Sequence, residues 1–122
     1  MHYHHVGSGR YMLRLDPGDE LTTCLRQFVS DAGVKSGWIS GIGSTSHLVL
    51  GFLDPESMEY VKRKFDEPME VGQLSGTISV EAEDGRPFIH LHGTFAPREL
   101  IAYSGHVHEA RVGVVMEVGV AG

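Results

Sequence analysis

Gly9-Arg10-Tyr11-Met12-Leu13-Arg14-Leu15, followed by Asp16-Pro17-Gly18-Asp19 and then by Leu21, Cys24, Leu25, Phe28, Val29 and Ala32, is the stretch on which the fold turns. In its first part Tyr11, Leu13 and Leu15 share one face and Arg10, Met12 and Arg14 the other, the period of a strand with one buried side. The Asp16–Asp19 segment breaks that strand and supplies carboxylates to cap a helix. The apolar residues that follow recur at spacings of three and four, the period of an amphipathic helix. Gly33 ends it, at the position where a left-handed cap costs glycine least. Cys24 lies on the apolar stripe and therefore reads as a core residue rather than a reactive thiol.

Outward from this unit the pattern is β. Gly37 to Ser44 and Ser46 to Leu53 read as two strand runs joined through small residues, with Asp54-Pro55-Glu56-Ser57 as a turn. Met58 to Phe65 can pair back as a polar, partly exposed strand. Leu74, Ile78 and Val80 alternate with Ser75, Thr77 and Ser79. Glu83-Asp84-Gly85-Arg86-Pro87 is a hairpin connection into Phe88 to Phe95, and a further strand is expected over Leu100 to Tyr103. At the end Val112, Val114, Met116, Val118 and Val120 are predicted to face one way. One helix and about seven strands on short links imply an α+β domain built on a mainly antiparallel sheet. Residues 1–122 are expected to form one domain, since 122 residues is an ordinary domain size and no linker or repeat interrupts them.

Composition narrows the function classes. Hydrophobic residues make up 41% and charged residues 21%, the balance of a soluble globular chain. No apolar stretch approaches the roughly 20 residues of a spanning helix. Met1-His2-Tyr3-His4-His5 lacks the basic start and apolar run of a signal peptide, and the single Cys24 calls for no oxidising compartment, so a cytoplasmic location is expected. Ten Lys and Arg against sixteen Asp and Glu give a net charge of -6, which opposes phosphate backbones. Lys62-Arg63-Lys64 is the one dense basic run, and it reads as a solvated polar strand. Gly41-Ile42-Gly43-Ser44 has no lysine and is not a phosphate loop; Ser75 lacks the flanking glycines of a nucleophile elbow.

Eight histidines invite a search for metal chemistry. His90 and His92, two apart on a strand, leave the same face with Cα atoms roughly 6–7 Å apart, close enough to converge on one cation. His106, in Tyr103-Ser104-Gly105-His106, is the candidate third ligand, because small residues there permit close approach. Three neutral imidazoles bind zinc and leave its fourth tetrahedral position to water or a ligand. His108 forms a second two-residue pair with His106 and could replace or assist it. Glu109 and Glu117 are carboxylates able to orient an imidazole or move a proton. His47 reads as structural or pocket-lining, and His2, His4 and His5 as a mobile end outside the set. The alternative is that strand histidines simply face solvent or fill core niches.

The ordered series from the Arg10–Leu15 strand through the Pro17-Gly18 helix start, Gly41-Ile42-Gly43-Ser44, Leu74-Ser75-Gly76-Thr77-Ile78 and Pro87-Phe88-Ile89-His90-Leu91-His92 to Gly105-His106 resembles the PPC domain. This "plants and prokaryotes conserved" domain is also called DUF296, and the likeness runs from about Gly9 to Val120, to the standalone prokaryotic type. The resemblance implies an α+β fold with a twisted, mainly antiparallel sheet and one main helix, assembled as a homotrimer and similar in fold to acetolactate decarboxylase. It also implies His90, His92 and His106 as the metal ligands; imidazole nitrogen, a borderline-soft donor, makes zinc the expected metal, and its open position makes a small molecule a possible partner. Ser104 stands where the family usually has glycine, and His108 is an extra imidazole. Plant members join the domain to AT-hook segments that bind DNA. This sequence has no Arg-Gly-Arg, so DNA is the less expected partner and a non-enzymatic regulatory module the alternative function. Whether the chain is an enzyme is left open by the residues.

Overall fold

The structure, a computed structural model, describes residues 1–122. The elements run β1 (His2–Gly7), β2 (Arg10–Leu15), α1 (Leu21–Ala32), β3 (Gly37–Leu53), β4 (Tyr60–Phe65), β5 (Met69–Val80), β6 (Pro87–Ala96) and β7 (Tyr103–Ala121). Every strand pairing is antiparallel. The sheet order is β1-β2-β7-β6-β5-β3-β4, and an additional β3–β7 pairing closes β7, β6, β5 and β3 into a hydrogen-bonded ring. No helix is long and apolar enough to cross a membrane.

The helix forms as its stripe predicts. Leu21, Leu25, Phe28 and Val29 are buried in a core cluster of 23 residues, against the inward faces of the sheet. Each such side chain contributes about 1.5–3 kcal/mol relative to exposure. Gly33 at φ 69° is the left-handed C-cap, and its N–H donates to the Val29 carbonyl. The N-cap differs from expectation. Glu20, not the Asp16–Asp19 segment, accepts from the Thr22 and Thr23 amides, while Asp19 instead accepts from the Asp16 amide and shapes the preceding turn.

Four strand expectations are corrected. The two runs at Gly37–Ser44 and Ser46–Leu53 are one 17-residue strand, because the small residues between them accommodate irregular pairing rather than a turn. The segment before Tyr103 is not strand: Leu100 has φ 62° and its N–H donates to the Pro97 carbonyl, which makes a turn, and β7 starts at Tyr103. Val112, Met116, Val118 and Val120 are buried together, but Val114 is 74% exposed. Opposite it Gly43 pairs with Met116 and Thr45 with Val112, so β7 spends four residues where β3 spends two. Such a bulge turns a side chain out of register. Finally, His2, His4 and His5 belong to β1, paired with β2, rather than to a loose end.

Candidate metal centre

Strand β6 alternates cleanly around the site: Leu91, Gly93 and Phe95 are buried, while His90 and His92 stand on the outer face. In the neighbouring strands Thr77 lies opposite His90, Ser75 opposite His92, and His106 of β7 opposite His92 on the other side. His106 is also the residue at which β7 is paired on both sides, with His92 of β6 and with Gly51 of β3. That double pairing needs close backbones: a Cβ on Gly105 would lie 2.9 Å from the Gly51 carbonyl oxygen. The small residue before His106 thus has a steric reason.

The three rings converge. Their centroids are 4.9 Å apart for His90 and His92, 5.3 Å for His90 and His106, and 5.7 Å for His92 and His106. One ring nitrogen from each lies within 4.8 Å of the others, so the group could hold a metal ion. Its protonation suits that purpose. Burial pushes the His106 imidazole down to about 4, helped by the charged forms of His108, His90 and His92 and by Lys62. A neutral imidazole keeps the lone pair a metal needs.

Tyr60 of β4 packs on this group. Its ring centroid is 4.7 Å from that of His106 and 4.6 Å from that of His108, and its Oη lies 3.4 Å from His106 Nδ1. His108, 4.5 Å from His106 between centroids, does not join the three. Its Nε2 is buried without a hydrogen-bond partner against Gly51, where an added Cβ would sit 2.3 Å away. Burial first, then Lys62, lowers its pKa.

The remaining candidates lie elsewhere. Glu109 reaches His47, with Oε2 3.6 Å from Nε2, and Asp66 bonds the other nitrogen of the same ring. Glu117 lines a separate groove with His2, His4 and Arg14. Cys24 is partly buried against the core, and burial raises its thiol pKa. In the basic run, Arg63 lies 4.8 Å from the Phe65 ring and 4.9 Å from that of Tyr103. Sequence reasoning missed Tyr60, and it missed Trp38, which lines a groove with His90 and His92. Nothing in the local sequence marks either one, because only cross-strand register brings them to the histidines.

Similarities to known proteins fit this geometry. A candidate DNA-binding protein from Bacteroides thetaiotaomicron is 30% identical, with a TM-score of 0.93 over 98% of this chain and 82% of its own. The metal-containing protein AF0104 of Archaeoglobus fulgidus is 36% identical, with a TM-score of 0.84 over 91% of this chain and 76% of its own. Acetolactate decarboxylase from Bacillus subtilis shares the fold alone, at 14% identity and a TM-score of 0.63 over 90% of this chain and 50% of its own. No curated protein matches the chain. The Plants and Prokaryotes Conserved (PCC) domain profile matches residues 3–121, nearly the full length. With one antiparallel sheet, one short helix and that match, the chain belongs to the PCC domain family.

Proposed function

We propose that this chain binds zinc through His90, His92 and His106 and presents the ion's open position to a small anionic or carbonyl ligand. The observation that carries the reading is the convergence of one nitrogen from each ring within 4.8 Å. Three imidazole donors suit zinc better than magnesium or calcium, which prefer oxygen. The metal-containing relative from Archaeoglobus supports a metal in this family's frame. A bound zinc supplies Lewis acidity to whatever fills its fourth position. The chain's own part is to fix the rings: sheet pairing sets His90 and His92, and with the ion on Nε2 the His106 Nδ1–H can donate to Tyr60 Oη, 3.4 Å away. Elemental analysis of untagged protein is expected to find about one zinc per chain, and His90→Ala combined with His92→Ala to remove it. Zinc retained in the double variant refutes the centre.

The same reading takes residues 1–122 as one domain around one core cluster, working as a homotrimer. Exposed Ile42, Leu100, Ile101 and Val114, away from the histidine groove, give apolar surface for subunits to cover. A chain with one free cysteine suits a reducing cytoplasm.

A second reading, a DNA-associated regulatory module, is favoured by the Bacteroides relative. The net charge of -6 and the placement of Arg63 over two aromatic rings weigh against it. Gel-shift titration at physiological salt is expected to show no binding tighter than about 1 µM, the nonspecific range. Nanomolar binding to duplex DNA reverses the ranking.

A further inference from the structure

Building on the three-histidine reading, we infer that the ligand of this centre has an oxygen-donor head and a flat apolar body, and that Trp38 selects for that body. Trp38 is the chain's one tryptophan, and it is 71% exposed on β3. It is not stranded at random on the surface. Register places Trp38 opposite Thr77, and Thr77 opposite His90, so indole and imidazole stand in one row across three strands. Two strand spacings separate them, about 9–10 Å.

The space between is a groove of roughly 360 Å³, lined by Trp38, Ile39, Ser75, Thr77, His90 and His92. That volume falls in the range of small-molecule sites. Its chemistry is graded: imidazoles at one end, two hydroxyls along the floor, an indole face at the other end. The lining contains no carboxylate, lysine or arginine, so a charged tail would find no partner there. A planar neutral group would cover the indole, and aromatic contacts of that kind favour flat partners. The Ser75 hydroxyl accepts only from Gln73 Nε2, at 3.4 Å, which leaves its proton for a polar substituent in mid-groove.

Two hydroxamates that share a zinc-binding head test this, benzohydroxamate with a ring and acetohydroxamate with a methyl group. Calorimetry on the full zinc-loaded chain is expected to give benzohydroxamate at least about tenfold tighter binding, accompanied by a change in Trp38 fluorescence. In Trp38→Ala the two probes should bind within about twofold of each other, while Trp38→Phe should keep most of the preference. Sedimentation of both variants should match the unmodified protein. A preference that survives Trp38→Ala overturns the inference, and so does a changed oligomeric state, which would assign the indole to a subunit contact. Zinc content, measured on each sample, separates the two claims. A chain that holds zinc but binds both probes alike loses the role of Trp38 and keeps the metal centre. A chain without zinc loses both.

Discussion

Glu20 sits at the turn into α1, and its carboxylate accepts from the Thr22 and Thr23 amides and, from far along the chain, from the Ala110 amide at 3.0 Å. One side chain thus caps the helix and ties its start to β7. Burial pushes this carboxyl up, but the bonds from the Thr22 hydroxyl and the Ala110, Thr23 and Thr22 amides outweigh it and hold the group below 4.5. Glu20→Ala should cost about 2 kcal/mol in denaturant unfolding, above the ~1 kcal/mol of an ordinary cap, because the Ala110 N–H also loses its partner. A depressed folded pKa stabilises fully above the unfolded value and fades as pH falls through the folded one. The unmodified and Glu20→Ala stabilities should therefore converge as pH drops below 4.5; a gap unchanged at pH 3 would rule the carboxylate out as the cause. The helix itself was legible from its stripe and Gly33, but its cap was not: glutamate is not a favoured cap residue, and the Ala110 contact spans 90 residues. The histidines were legible for the opposite reason. Alternation in β6 puts His90 and His92 on one face by local geometry, and the small residues before His106 announce a close approach. Trp38 and Tyr60 reach the same place only through the register of β3, β4 and β5, which no single stretch of sequence encodes.

Strands β3 and β7 carry the architecture, and each was read as shorter than it is. Small residues such as Gly41 and Gly43 serve equally for a turn and for a bulge, so a run of them does not say which. Here Gly43, at φ 151°, lies where β3 is pressed against β7; an added Cβ would sit 2.4 Å from the Val115 carbonyl oxygen and 2.7 Å from the Met116 Cα. Both neighbours are backbone and cannot step aside. Gly43→Ala should therefore destabilise by about 2–4 kcal/mol, through strain and overpacking together. Gly72→Ala, with only the Thr94 carbonyl oxygen at 3.8 Å, is the control and should stay within about 1 kcal/mol. Equal losses at the two positions, measured by chemical unfolding, would deny Gly43 its special place. The same bulge explains why strict alternation failed at Val114: β7 carries two extra residues there, which turn Val114 outward while Val112 and Met116 stay buried, and pattern reading assumes no insertion.

At the scale of the molecule, helix α1 packs against part of the sheet and fifteen large hydrophobic side chains stay exposed. On the proposed reading, in which exposed apolar surface rather than the ion joins the subunits, sedimentation is expected to give a trimer that survives chelation. Dissociation on chelation would make the centre a structural staple. The ring of β7, β6, β5 and β3 leaves β4 at one end of the order, hydrogen-bonded only to β3. Its free row of amides and carbonyls could template the addition of a stranger's strand, and three successive cations, Lys62-Arg63-Lys64, make such zippering repulsive. The basic run thus guards a border against its own kind. Brine shortens the reach of that repulsion to about 3 Å at 1 M, so clumping, with every fold intact, is the first trouble concentrated salt should bring.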